Sequence, residues 1–323
     1  MRATFYLPEK YLPDGPGRDA WRSGAIRNLE ESGKIACAQC WIYQTWIALS
    51  AAGIPSELSS EVPKEGILLA LSGFFNDSWR PPKGVFFADI VADYLPHPSA
   101  RLHILQNKAH TRRLPHSVFM PLWTQPNLVA RDPARGGVFE NICFLGDPGN
   151  LAPELRSKEW AAALEKDFGL RLDIRQADRW HDYSDVDCVL AIRDFTKSRQ
   201  LHKPATKLYN AWLAGVPFIG GRDSAYASDG RCGVDYLRAD SPEQLLSHLR
   251  RLKEDPEFRM RLVDEGARAG AGFTREMTLR RWEGLVSETL PAAARKYAAA
   301  SKIQRALSNA AHRVVVGVDR RLR

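Results

Sequence analysis

Short apolar runs separated by helical segments constrain the fold of this chain more than any other feature. Runs of about four to eight apolar residues between turn residues are typical of buried strands. In the first part of the chain they occur at residues 3–7, 67–71, 85–90, 102–105 and 118–122. Helices are predicted from near Asp19 and over residues 37–52. Strands that are apolar along their whole length are covered on both faces, so the pattern predicts an α/β fold with parallel sheets.

After residue 137 the alternation is more regular. Strands are predicted at residues 138–145, 170–174, 187–192, 216–220 and 234–238. Helices are predicted at residues 153–168, 205–214 and over most of 241–290. The stretch TQPNLVARDPARGG between the two halves has two prolines and two glycines, which indicates a linker. We therefore expect an N-terminal domain of residues 1–123, a linker of residues 124–137, a second domain of residues 138–290 and a tail of residues 291–323.

Composition agrees with a globular protein of more than one domain. The chain has 323 residues, of which 44% are hydrophobic, and its length exceeds what one small core needs. No stretch approaches the roughly 20 apolar residues that cross a bilayer. Glu9 and Lys10 interrupt the start before the apolar core of an export signal could form. The five cysteines include a Cys37–Cys40 pair without a second pair, and they are typical of a cytoplasmic protein.

The positive charge of the chain is concentrated at its end. The net charge is +8, and the segment from Arg295 onward contributes +7 of it, because it holds eight Arg or Lys and one Asp. No aromatic and basic reader motif accompanies this charge, so nucleic acid is not an expected partner. Five residues of the tail can share one helical face: Ala299, Ile303, Ala306, Ala310 and Val314. Such a basic helix predicts either binding to an anionic membrane surface or packing on the first domain, and both alternatives stay open.

Cations follow one of the predicted strands in the second half of the chain. The strand at residues 187–192 leads through a loop to the stretch KPATKLYNAWLAGVPFIGG, which is a helix followed by a short strand. The cations on this route are Arg193, Lys197, Arg199, Lys203 and Lys207. A helix N-terminus beyond the carboxyl end of a parallel strand favours an anion. The route therefore predicts a diphosphate site that needs no metal, although a solvated loop without a ligand would show the same charges.

The longer stretch KPATKLYNAWLAGVPFIGGRDSAY resembles the donor-binding segment of GT-B glycosyltransferases. In that family a helix with a Ser/Thr-Lys-Leu or Glu-containing motif leads into Ala-Gly-x-Pro. The resemblance continues through a "Pro-Glu-x-Leu" helix and an "Asp-Pro-x-x-Arg" helix downstream, and WHDYSDVDCVLAIR is similar upstream. It covers about residues 138–290, and none of its motifs is diagnostic alone.

The resemblance implies two Rossmann-like domains that face each other across a cleft, with a nucleotide-sugar on the C-terminal domain and an acceptor on the N-terminal one. The expected activity is metal-independent transfer of a hexose to a glycan or a lipid-linked acceptor in bacterial-type surface polysaccharide or glycoconjugate synthesis. No cofactor is expected besides the nucleotide-sugar substrate. The alternatives are a non-catalytic relative that binds sugar nucleotides or glycans, and a nucleotide-sugar epimerase of the same fold.

The resemblance also implies roles for particular residues. The expected donor-binding residues are Gly146, Arg193, Lys203, Lys207, Asn210 and Asp223. Many retaining members of the family carry two glutamates eight positions apart, and these positions fall on His202 and Asn210 here. Neither residue is a carboxylate, which departs from the commonest subfamily. Gly146 lies in a Gly-Asp-Pro-Gly-Asn turn, which an ordinary tight turn would also explain.

A general base is expected on the acceptor side if the reaction inverts the configuration at the sugar. The candidates near the ends of the predicted N-terminal strands are His97, His110, His116 and Asp89. His110 is the first choice, because the stretch HILQNKAHTRR should lie at the cleft. Each of these histidines could equally be a surface or core residue, and a retaining enzyme needs no such base.

Overall fold

The structure is a computed structural model that describes residues 1–11 and 37–321. The helix expected near Asp19 lies outside the described residues. The described residues form two parallel β-sheets with helices packed on them, which confirms the predicted α/β fold.

The first sheet has six parallel strands in the order β2-β1-β3-β4-β5-β6. They are β1 (Ala3–Tyr6), β2 (Ser56–Ser59), β3 (Glu65–Leu71), β4 (Gly84–Ile90), β5 (Leu102–Leu105) and β6 (Ser117–Phe119). Strand β3 is in the middle of the sheet, and Leu69 pairs with Ala88 of β4. The apolar strands were all predicted, although β6 ends three residues early. The edge strand β2 was not predicted, because its sequence SELS is mostly polar.

The second sheet has five parallel strands in the order β11-β10-β9-β7-β8. They are β7 (Asn141–Leu145), β8 (Arg171–Arg175), β9 (Cys188–Ala191), β10 (Phe218–Gly220) and β11 (Leu237–Arg238). From β7 the chain first moves to β8 on one side and then to β9 on the other. The connections therefore reverse direction between β7 and β9. In open parallel sheets this switch point is where ligands bind, beyond the carboxyl ends of the strands.

Ten α-helices connect and cover the two sheets in the described residues. They are α1 (Gln44–Ala51), α2 (Lys108–Thr111), α3 (Lys158–Phe168), α4 (Thr206–Leu213), α5 (Ser224–Asp229), α6 (Pro242–Glu254), α7 (Pro256–Gly270), α8 (Arg275–Gly284), α9 (Leu290–Ala299) and α10 (Lys302–Arg321). Several helices begin after a residue whose side-chain hydroxyl accepts a hydrogen bond from the backbone N–H three residues later. Ser157, Ser241 and Thr274 make this bond at α3, α6 and α8. Such caps define the helix start.

The helices after α7 return to the first sheet. Trp282 of α8 is fully buried, and its ring lies 6.1 Å from that of Phe5 in β1 and 6.3 Å from that of Trp41. Helix α9 contributes Leu290 to the same core. Helix α8, which lies within the predicted second domain of residues 138–290, thus packs on the core of the first sheet. The division into two domains across a cleft stays a prediction.

Helix α10 packs on the body of the protein through an unexpected face. Its buried residues are His312, Val316 and Asp319. The face that the sequence predicted is exposed instead, with Ile303 73% and Val314 67% exposed. The helix is thus held by polar contacts more than by apolar ones. In the described part of the chain, no helix combines the length and apolarity that crossing a membrane requires.

Candidate functional site

A crevice of about 380 Å³ lies at the carboxyl ends of strands from both sheets. Gly146 follows β7 and Arg193 closely follows β9, so the switch point of the second sheet forms one wall. Asp93 and Gln106 follow β4 and β5 and form part of the opposite wall. The crevice therefore occupies the position at which parallel α/β sheets bind ligands.

Lys207 extends into this crevice from the first turn of α4. Its Nζ lies 5.2 Å from the centre of the Phe144 ring in β7. A Cβ atom added to Gly146 would lie 2.6 Å from the same Nζ, so the absence of a side chain at residue 146 leaves room for the ammonium group. Among the described residues, no carboxylate forms an ion pair with Lys207. Burial, together with the nearby Arg193, lowers the pKa of Lys207 to about 8.

Arg193 is held in place by two side chains. Its Nε donates to Asp223 Oδ2 at 3.2 Å, and its Nη1 donates to Asn150 Oδ1 at 2.5 Å. Asp223 is buried, and burial raises the pKa of its carboxyl while Arg193 opposes that shift. Asp223 is not among the residues that line the crevice. The structure thus gives Asp223 a positioning contact with Arg193, which leaves the guanidinium facing the crevice.

Lys203 connects the two sides of the crevice. Its Nζ lies 3.2 Å from Asp93 Oδ1, and Gln106 Nε2 donates to the same carboxylate oxygen at 3.1 Å. Gln106 also donates to the backbone oxygen of His202 at 2.7 Å. These contacts attach the loop before α4 to the first sheet, so the cations of that loop have defined positions.

Asn210 lies on α4 and lines the crevice. It is buried, and its Oδ1 accepts a hydrogen bond from the backbone N–H of Gln125 at 3.0 Å. The helix ends at Leu213, and the chain turns toward β10 at Gly215, whose φ of +70° suits glycine. Asn210 therefore attaches the start of the predicted linker to the second sheet.

Two polar atoms of the crevice are buried without a partner in the described part of the chain. They are Gln44 Nε2 of α1 and Thr206 Oγ1 of α4. Buried polar groups are nearly always hydrogen-bonded, so these atoms indicate a polar ligand. Thr206 is the Thr of the Thr-Lys-Leu motif and could have been selected from the sequence. Gln44 comes from another part of the chain and carried no such signal.

Aromatic rings and thiol groups also line the crevice. Trp41, Trp123 and Trp180 line it, and flat apolar rings of this kind suit a base or a sugar. Cys37 and Cys40 also line it, and burial raises the pKa of each thiol to about 12. Both cysteines are therefore neutral thiols and not nucleophiles.

The expected general bases do not line the crevice. His110 is buried, and its Nε2 lies 2.9 Å from Asp319 Oδ1 of α10. Asp89 is also buried, and its Oδ1 lies 2.6 Å from His103 Nδ1. The strand ends did place these residues near one edge of the first sheet, but their side chains contact one another or α10. The carboxylates that do line the crevice are Asp93 and Asp147, which the sequence did not single out.

The five predicted cations form two groups. Arg193, Lys203 and Lys207 line the crevice together with Gly146 and Asn210. Lys197 and Arg199 are exposed and do not line it. The structure thus brings together five of the six expected donor-binding residues, with Asp223 directly behind them.

Comparisons with known proteins agree with this arrangement of sheets. No protein-family profile matches the sequence, and no curated protein matches it. The crystal structure of Anabaena Alr3699/HepE in complex with UDP and glucose is similar over 90% of this chain and 99% of that chain, with a TM-score of 0.52 and 11% identity. The complex of HepE with UDP-glucose is similar over 90% of this chain and 100% of that chain, with a TM-score of 0.52 and 12% identity.

The likeness extends over 90% of this chain and nearly the whole of the other chain. At this level of identity it shows the fold alone. The chain therefore has the fold of the GT-B nucleotide-sugar glycosyltransferases.

Proposed function

We propose that this protein transfers a sugar from a nucleotide-sugar to a glycan or lipid-linked acceptor. The observation that carries the proposal is the pair of cations Lys207 and Arg193 beside Gly146, at the switch point of the second sheet. An ammonium and a guanidinium group can together neutralise a diphosphate without a metal ion. Uridine is the proposed nucleoside of the donor, because HepE, which shares the fold, binds UDP and UDP-glucose.

The proposed mechanism uses these cations on the leaving group. As the bond between the sugar and the diphosphate breaks, negative charge develops on the phosphate oxygen. Fixed cations at that position stabilise the transition state more than the ground state. Asp93 lies on the first-sheet side of the crevice, where the acceptor would bind, and it is the proposed group to accept the proton of the acceptor hydroxyl.

A donor-hydrolysis assay tests this function. Incubation with UDP-hexoses is expected to release free hexose slowly, and Asp93→Asn is expected to reduce this release while UDP binding is kept. GDP- and ADP-hexoses provide the control for base preference. A non-catalytic binding protein would instead bind UDP-hexoses tightly without releasing hexose. It would also transfer no hexose to added glycan or lipid-linked acceptors.

The affinity for UDP is expected to depend on pH through Lys207. Its pKa of about 8 means that it is mostly charged at pH 7 and mostly neutral at pH 9. If only the charged form binds, affinity falls about tenfold between these values, because the charged fraction does so. Lys207→Arg keeps its charge over this range and should lose the dependence. Calorimetric titrations of UDP at both pH values measure the effect, and an equal pH dependence in both proteins would contradict it.

Association with an anionic membrane surface is part of the proposal. Helix α10 exposes an apolar stripe of Ile303, Leu307, Val314 and Val318, each at least 50% exposed, with Lys302, Arg313 and Arg321 also exposed on the helix. This combination is typical of helices that lie in a membrane interface. Leu307→Asp is expected to reduce sedimentation with phosphatidylglycerol vesicles, whereas Met260→Asp, at an exposed methionine of α7, should not. Equal binding by both variants would contradict a role for the stripe.

A further inference from the structure

A second cavity, of about 210 Å³, lies between α9, α10 and the first sheet. It is separate from the crevice and shares no lining residue with it. Its cationic residues are Arg101, Lys296 and Arg305, and His116 and His312 also line it. No acidic residue is found among the described residues that line it. Three cations thus converge on one small cavity without a counter-charge in its wall.

Arg101 is the central cation of this cavity. Its Nη1 is buried and has no hydrogen-bond partner among the described residues. Its guanidinium carbon lies 5.2 Å from the centre of the Tyr297 ring, and that of Arg305 lies 5.9 Å from the same ring. Burial lowers the pKa of Arg101, and a hydrogen bond with Tyr297 opposes this shift only in part. A buried guanidinium donor with no acceptor is costly, and an anionic ligand would remove the cost.

We propose that this cavity binds a phosphate monoester. Arg and Lys together recognise a doubly charged phosphoryl group better than a single carboxylate, because several charge-assisted hydrogen bonds form at once. The cavity also holds Asn309 Oδ1, which is buried without a partner in the described structure. That oxygen accepts a hydrogen bond, so a ligand with a hydroxyl group beside its phosphate satisfies both unpaired atoms. A soluble phosphate ester and the headgroup of phosphatidic acid share the phosphate monoester.

Titration with glycerol 3-phosphate tests the site. The variant Lys296→Gln/Arg305→Gln removes two cations of the cavity. The matched variant Arg295→Gln/Lys302→Gln removes two cations from the same two helices, at exposed residues that do not line the cavity. We expect the dissociation constant to rise about tenfold or more in the first variant. It should change less than about twofold in the second, because those charges are exposed to solvent and screened.

Other results would overturn the proposal. The first is that the wild-type protein does not bind glycerol 3-phosphate. The second is that both double variants weaken its binding equally, which would indicate an effect of diffuse charge. Lys207→Ala serves as the control for binding in the crevice, and loss of glycerol 3-phosphate binding in that variant would also contradict the site. Thermal unfolding of each variant shows that the fold is kept.

Vesicles distinguish the two sources of the phosphate. Vesicles of phosphatidylcholine and phosphatidylglycerol are compared with vesicles in which phosphatidic acid supplies a similar negative charge. Sedimentation that needs phosphatidic acid and is lost in Lys296→Gln/Arg305→Gln supports a lipid headgroup as the ligand. Glycerol 3-phosphate binding without such sedimentation supports a soluble ester. The proposed sugar transfer can fail while this site stands, because none of its residues lines the crevice.

Discussion

The double variant Lys207→Ala/Arg193→Ala is expected to bind UDP about a hundredfold more weakly than the wild-type protein, or weaker still. Hydrogen bonds to charged groups contribute about 1.5–3 kcal/mol each, and two of them correspond to at least this factor. Both side chains line the crevice, and Lys207 has no carboxylate partner among the described residues that would compete with a diphosphate. Isothermal titration calorimetry with UDP measures the change.

The same loop offers a matched control. Lys197→Ala/Arg199→Ala also removes two cations, but both residues are exposed and outside the crevice. Its affinity for UDP should stay within about twofold of the wild-type value, because exposed charges contribute little through solvent. If the two double variants weaken UDP binding equally, the cations act through general charge and not through the proposed site.

Asp187→Asn is expected to lower the free energy of unfolding by about 3–5 kcal/mol, as the loss of a buried charge partner usually does. The Asp187 carboxylate is fully buried at the start of β9. It accepts hydrogen bonds from Arg131 Nη2 at 2.8 Å and Arg135 Nη2 at 2.7 Å. It also accepts from the backbone N–H of Glu140 at 2.9 Å and of Asn141 at 3.0 Å. This one carboxylate therefore fastens the predicted linker to the second sheet.

The contribution of Asp187 depends on pH. Burial raises the pKa of this carboxyl, but hydrogen bonds from Arg135 and from the backbone N–H groups outweigh burial and leave it below 3.8. A lowered pKa of an acid stabilises the folded state above the ordinary value and loses that effect as pH falls through the folded value. The wild-type protein should therefore lose more stability on acidification below about pH 4 than Asp187→Asn does.

Urea unfolding at several pH values measures both effects of the substitution. Asp178→Asn is the control, because Asp178 also precedes β9 in the sequence but is exposed. It should change the free energy of unfolding by less than about 0.5 kcal/mol, as surface substitutions do. An Asp187→Asn protein as stable as this control would show that the carboxylate does not hold the linker.

Much of the fold could be predicted from local sequence patterns. Strands β3 and β5 are mainly apolar and bounded by turn residues, so their burial is visible in the sequence. Strand β2 (Ser56–Ser59) was not visible, because an edge strand needs no apolar run and is defined by its pairing with β1. The buried face of α10 was not visible either. Its contacts include the polar pairs His312–His103 and Asp319–His110, each between residues 209 positions apart.

The residues of the crevice could likewise be predicted only in part. Arg193, Lys207 and Gly146 were predicted, because a strand end and a helix N-terminus close together in sequence define their surroundings. The sequence could not separate them from Lys197 and Arg199, since the direction of a loop side chain depends on tertiary contacts. Residues from the first third of the chain, such as Gln44 and Asp93, enter the crevice only through the long-range packing of the chain.

A crystal structure of the protein with UDP is the most direct test of the diphosphate site. We expect the phosphate oxygens to lie within about 3.2 Å of Lys207 Nζ and of the Arg193 guanidinium, which is hydrogen-bond distance. The backbone of Gly146 should lie against the same phosphates. UDP bound elsewhere, with both cations still facing an empty crevice, would contradict the account.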